Sequence, residues 1–210
     1  MTVPRETEHE PAIAAQLFGN RIDLARAYTG DLAERGEELG LIGPLELPRL
    51  WTRHVLNSVL LAPLMAGRVG DVGSGAGLPG LVLAIARPDV EFVLIEPMER
   101  RVRWLQEQVN RLSLANVTVV NTRAEEAPYP RQLDQVTARA VGALSKLIPL
   151  TARLVRPDGE LLLLKGANVA VEAEKATRAI ARGKLTDVRV EELGVGMATE
   201  VTRVFRARVQ

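Results

Sequence analysis

Apolar and polar positions follow two regimes along the chain, and the change comes near residue 67. Through the first 66 residues the apolar positions cluster at helical intervals: Ile13, Leu17 and Phe18, then Leu32 and Leu39, then a long stripe from Leu50 to Leu64. The breakers Gly40, Gly43, Pro44 and Pro48 divide this leader, and nothing in it alternates like a strand. From Arg68 onward, short apolar runs alternate with helix-length segments: "RVGDVG", "VEFVLIE", "NVTVVN", "LDQVTARAV" and "GELLLLKG". Nearly continuous apolar strands separated by helices predict a parallel sheet covered on both faces. The clearest intervening helix is 99–114, where Val102, Leu105, Val109 and Leu112 line one side while Arg100, Arg101, Arg103 and Arg111 project elsewhere. A later helix covers about 169–182. The closing runs, "KLTDVRVEELGV" and "EVTRVFRARVQ", are expected to pair as a terminal hairpin. The expected fold is therefore α/β, a mostly parallel, Rossmann-like, seven-stranded sheet. Residues 1–66 form a helical N-terminal extension and 67–210 one structural unit.

Composition narrows the chemistry. At 210 residues and 47% hydrophobic content the chain can bury one substantial core. No apolar run reaches membrane-span length and the start, "MTVPRETEHEP", is charged, so a cytoplasmic protein is expected. Zero cysteines remove disulfides, Cys-ligated zinc and thiolate nucleophiles, and with only His9 and His54 no metal site is expected. Residues 1–50 carry 5 basic and 9 acidic side chains and the remainder 22 and 17, which suits an anionic partner for the larger part. Trp51 and Trp104 lie in amphipathic helices, which favours packing over base stacking.

The stretch "DVGSGAGLPG", Asp71 to Gly80, runs from a strand end through a glycine loop into a helix, and it fits two cofactors. Gly75, Gly77 and Gly80 satisfy G-x-G-x-x-G with Glu96 at the end of the next strand, a dinucleotide fingerprint. Alternatively, Asp71, Gly73, Gly75 and Gly77 form Asp-x-Gly-x-Gly-x-Gly, a loop for the methionine end of S-adenosylmethionine. The sign of the charge favours the second: a carboxylate at position 71 repels pyrophosphate and attracts an ammonium or sulfonium. Three successive strand ends then offer groups to one ligand: Gly73 and Leu78 to the methionine end, Glu96 to the ribose hydroxyls, and Ala124 with Glu125 of "TRAEE" to the base.

The segments "RHVLNSVLLAP", "DVGSGAGLPG", "RAEE", "TARAVGAL" and "LLLLKG", in this order and spacing, resemble the bacterial 16S ribosomal RNA guanine-N7 methyltransferases, also called the glucose-inhibited division protein B family. The similarity runs from about Leu50 to Gly166. It implies a class I S-adenosylmethionine-dependent methyltransferase fold and methyl transfer to N7 of a guanine in 16S rRNA, free or in the small ribosomal subunit. It also implies that Gly73, Leu78, Ala124, Glu125 and Arg139 bind the cofactor. A monomer is expected. The chain departs from the family where relatives often carry Asn-Leu-Thr, having Gly40 to Gly43 there, and Asn57 replaces an acid.

Two absences agree with N7 as the acceptor. Methylases of exocyclic amines carry Asn/Asp-Pro-Pro-Tyr after the fourth strand, where this chain has "TARAV", and pyrimidine C5 methylation proceeds through a cysteine adduct. Guanine N7 already presents its lone pair, so alignment suffices and no general acid or base is assigned. Candidate RNA contacts are Arg53 and His54 on the leader, Arg123, and Lys165 after the fifth strand; each is either a phosphate or base contact or an ordinary surface charge. Three other readings remain: a small-molecule methyltransferase lidded by the leader, an RNA-binding module with a dead pocket, and an NAD-dependent enzyme.

Overall fold

The computed structural model describes residues 10–139 and 142–210. His9 with the charged start, and Ala140 and Val141 of "TARAV", lie outside the described residues.

Seven strands form one sheet in the order β3-β2-β1-β4-β5-β7-β6: β1 Arg68–Val72, β2 Glu91–Glu96, β3 Val117–Asn121, β4 Leu133–Arg139, β5 Val155–Lys165, β6 Leu185–Leu193 and β7 Thr202–Val209. The first five run parallel, with Gly70 beside Val93 on one flank and Val136 on the other. β7 inserts antiparallel between β5 and β6, giving the expected terminal hairpin. Strand order reverses at β1, so a crevice opens at the carboxyl ends of β1 and β4, where ligands of such sheets bind.

Helices cover both faces. α1 Ile13–Phe18 and α2 Ile22–Arg35 lead to a turn of 3₁₀ helix, Pro44–Arg49, a π-helical segment Leu50–Leu56, and a short α3, Asn57–Val59. α4 Gly80–Ala86 and α5 Glu99–Arg111 follow β1 and β2. α4, "GLVLAIA", is buried from Gly80 to Ile85, because it lies between the sheet and the leader. One hydrophobic cluster joins Tyr28, Leu32, Trp51 and Val55 of the leader to Leu81, Trp104 and the sheet residues Val69 and Leu94. The leader is thus part of the main core. The opposite face packs α6 Leu144–Ala152, α7 Val169–Lys175 and α8 Thr177–Arg182 around Leu163 and Phe205.

Two expectations change in detail. The stripe from Leu50 winds first as a π-helix, and its buried positions Leu50, Trp51, Val55 and Leu56 accordingly repeat every five residues, matching an i to i+5 turn. The helix expected over 169–182 breaks at buried Ala176, which separates α7 from α8.

Candidate functional site: a glycine loop beside a cationic cavity

The loop between β1 and α4 is held from below and from both sides. Gly73 N–H and Ser74 N–H donate to Ile95 O at 2.9 and 3.3 Å, tying the loop to the end of β2. Gly73 and Gly77 have φ of 71° and 103°, and a Cβ at Gly77 would overlap the Leu81 side chain, so the chain reverses here only with glycine. Asp71 is fully buried beneath the loop, and its Oδ2 accepts from Gly80 N–H at 3.0 Å at the start of α4. Its Oδ1 has no partner among the described residues. Burial pushes the Asp71 carboxyl up to about 7, against the hydrogen bond from Gly80 and the nearby Arg139 guanidinium. A buried acceptor with unmet capacity fits a cationic ligand group and disfavours a pyrophosphate.

The Ala76 carbonyl accepts from two buried side chains: Tyr28 OH of α2 at 3.0 Å and Trp104 Nε1 of α5 at 2.8 Å. Burial raises the Tyr28 pKa, so the phenol stays protonated and donates. Sequence reasoning placed Trp104 in the core and passed over Tyr28; the signal was that a buried Tyr or Trp needs a polar partner. Because both donors share one acceptor, a double-mutant cycle of Tyr28→Phe and Trp104→Phe is expected to be non-additive. Each single change should cost about 1 kcal/mol in urea unfolding, and the pair should cost more than the sum, since the buried carbonyl is then unsatisfied. Strict additivity would show that the two side chains do not act on one carbonyl.

Glu96, at the end of β2, is buried, and its two oxygens accept from Gly75 N–H at 2.9 Å and Met98 N–H at 3.0 Å. The residue read as a ribose acid fastens the glycine loop to the β2 end, and its carboxyl oxygens have acceptor capacity beyond these two bonds. Beyond β3, Ala124 is buried in a 3₁₀ turn, Ala124–Glu126, where Arg153 Nη1 donates to its carbonyl at 2.7 Å. Glu125 and Arg123 are exposed. Gly73, Leu78, Glu96 and Ala124 thus sit at the ends of β1, β2 and β3, along one edge of the sheet.

Beside the loop lies a cavity of about 620 Å³, lined by Arg53, His54, Arg139, Lys165 and Arg203 together with Glu46. Three of the four residues read as RNA contacts are brought together here, with Arg139; Arg123 is not among the lining residues. Arg139, at the end of β4, connects the two regions, since its charge is felt by Tyr28 and Asp71 as well as by Glu46 and Arg53, and burial lowers its pKa. His54 Nε2 hydrogen-bonds Glu46 Oε2 at 2.8 Å. Burial, reinforced by the Arg139 charge, depresses the His54 pKa to about 4, so the ring is neutral at physiological pH and Nε2–H is the donor.

Lys165 is more committed than a free phosphate contact. Its Nζ donates to Gly142 O at 2.7 Å and pairs with Glu172 at 2.8 Å, and Glu172 in turn accepts from Leu144 N–H. Two of three ammonium donors hold the turn after β4, leaving one for the cavity. Lys165→Ala is expected to raise KM for RNA several-fold while the Kd for S-adenosylmethionine stays within threefold; equal losses in both would count against a cavity-facing role. Among the described residues no helix is long and apolar enough to cross a membrane, and no group of three His, Cys, Asp or Glu could hold a metal.

Residues 21–200 match the family model described as rRNA small subunit methyltransferase G. The chain is 64% identical, over the full length of both, to Ribosomal RNA small subunit methyltransferase G of Clavibacter michiganensis subsp. michiganensis. It is 62% identical to the protein of that name from Leifsonia xyli subsp. xyli, covering 97% of this chain and 98% of that one. Among solved structures, a SAM dependent methyltransferase from Aquifex aeolicus superposes with a TM-score of 0.52 at 22% identity, covering 68% of this chain and 82% of that one. M. jannaschii TYW2 in complex with AdoMet superposes at 0.57 and 17% identity, covering 75% and 76%. These two likenesses carry the fold, a Rossmann-like methyltransferase sheet. The family model spans the glycine loop, all three strand ends and the cavity residues from Glu46 to Glu200, and the chain belongs to the rRNA small subunit methyltransferase G family.

Proposed function

We propose that this chain transfers a methyl group from S-adenosylmethionine to N7 of a guanine in 16S rRNA. The observation that carries the reading is the position of Arg139, between the buried Asp71 under the glycine loop and the cation-rich cavity on the leader side. A cofactor crevice and an anion-binding cavity then meet at one residue.

The residues that would hold the cofactor are Gly73, Gly75, Gly77 and Leu78 at the methionine end, Glu96 at the ribose, and Ala124 with Glu125 at the adenine. When bound, S-adenosylmethionine supplies an electrophilic methyl carbon on a sulfonium, and the N7 lone pair forms the new C–N bond as the C–S bond breaks. Asp71 contributes a buried carboxyl below the loop, pushed up to about 7 by burial, and a cationic cofactor end beside it would favour its ionised form. Arg139 carries donors that match the O6 acceptor of guanine, and the cavity cations, Arg53 and Arg203 among them, match flanking phosphates. Holding the base and methyl group in line is worth on the order of 7–11 kcal/mol of barrier, so positioning alone is a sufficient role for the protein.

The test is an incubation of the protein with radiolabelled S-adenosylmethionine and either 16S rRNA or 30S subunits from cells lacking the enzyme, followed by nuclease digestion and nucleoside separation. Label recovered as 7-methylguanosine is the expected result. Label in any other nucleoside, or none despite cofactor binding, overturns it.

A further inference from the structure

The cavity contains something that a site for phosphates alone has no use for. Glu46, on the 3₁₀ turn before the π-helix, projects a carboxylate among cations, with its side chain one-third exposed. Burial opposes its charge, but the hydrogen bond from His54 and the charges of Arg53 and Arg49 hold its pKa below the ordinary value, so it is an anion at neutral pH. Behind the same wall, His54 Nδ1 and Asn57 Oδ1 are buried with no hydrogen-bond partner among the described residues, so Glu46 is the acceptor that the wall offers to the cavity. Phosphate oxygens offer nothing to carboxylates or other acceptors; nucleobase N–H groups do. The wall is also irregular in backbone. His54 lies in a π-helical turn, a form frequent at functional sites, and that turn sets Arg53 and His54 side by side at the cavity.

We propose that Glu46, held in place by His54, selects guanine by accepting hydrogen bonds from N1–H and N2–H on the Watson–Crick edge of the target base. This rests on the reading of the cavity as the place of that base. Guanine has an acceptor edge, N7 with O6, and a donor edge, N1–H with N2–H. An acceptor edge turned to Arg139 leaves the donor edge for the Glu46 wall. Adenine presents a lone pair at N1, which a carboxylate repels, so the same group that accepts guanine rejects adenine. His54 is a positioning residue: it fixes one carboxylate oxygen, Oε2, and stays neutral, leaving the negative charge on Glu46.

The test uses 30S subunits reconstituted with 16S rRNA ligated to carry either guanosine or inosine at the methylated position. Inosine keeps N7, O6 and N1–H and lacks only the N2 amino group. The wild-type protein is expected to methylate guanosine with kcat/KM roughly tenfold above inosine, the share of a bidentate pair lost with one donor. Glu46→Gln and Glu46→Ala should lower guanosine turnover and bring the ratio close to one. Glu200→Gln, at the cavity's other carboxylate, should keep the wild-type ratio. Retained S-adenosylmethionine binding and circular dichroism establish that the variants are folded, and Glu46→Gln keeps the shape should Glu46→Ala not fold. Equal wild-type rates on guanosine and inosine, or an unchanged ratio in Glu46→Gln, overturn the proposal while leaving N7 methylation standing. Absence of wild-type transfer to guanosine N7 overturns both.

Discussion

Gly73→Asp is expected to abolish S-adenosylmethionine binding, with Kd rising at least 100-fold in isothermal titration calorimetry while the fold survives. Gly73 has φ of 71°, a left-handed conformation that costs a residue with a Cβ about 1–2 kcal/mol. Its N–H is held by Ile95 O, so the backbone cannot rotate away without releasing the loop from β2. The new carboxylate would also add a second acid to a loop whose Asp71 charge is already resisted by burial. A side chain there also fills the space assigned to the methionine end. Gly73→Ala separates the causes, since it adds the strain and only a methyl group, and it should weaken binding far less. An unchanged Kd in Gly73→Asp would remove the methionine end from this loop.

Arg139→Ala should lower kcat/KM for rRNA by at least two orders of magnitude, about 2.7 kcal/mol of transition-state stabilisation. Two effects combine. On the loop side, the Arg139 charge helps to offset burial of the Asp71 carboxyl, which already sits at about 7; without it the carboxyl moves further up, is mostly protonated at neutral pH and attracts the cofactor's cationic end less. On the cavity side, the guanidinium donors proposed to face the base are lost. Arg139→Lys restores the charge without the planar fork, so cofactor affinity should recover while turnover stays low. Cofactor Kd and turnover both within threefold of wild type in Arg139→Ala would show that the two regions are not joined through this residue.

The sheet and the glycine loop at its carboxyl edge were legible in the sequence because they depend on local pattern. Apolar runs such as "VEFVLIE" carry their strand identity within a few residues, and the glycine spacing after Asp71 states a turn geometry directly. The roles of Asp71 and Glu96 were only half legible. A carboxylate at a strand end reads as a ligand contact, whereas the bonds to Gly80 N–H, Gly75 N–H and Met98 N–H depend on how the loop folds back over β1 and β2. Lys165 was read as either a phosphate contact or an ordinary surface charge, and its pairing with Glu172 was not legible because Glu172 lies on the next helix and its reach to the β5 end is a tertiary fact. Tyr28 and Glu46 gave no motif. Tyr28 acts on Ala76 across 48 residues, and Glu46 acquires its setting from the π-helical winding of Leu50–Leu56, where the α-helical periodicity expected of the stripe gives way.

A crystal structure of the chain grown with S-adenosylhomocysteine tests the central claim most directly. The ribose hydroxyls are expected on the Glu96 carboxylate, the amino-acid end along Gly73 to Leu78 above Asp71, the adenine at Ala124 and Glu125, and the sulfur turned toward Arg139. A ligand lodged away from the β1–β4 crevice, or one seated there with its sulfur facing away from the cavity, would contradict it.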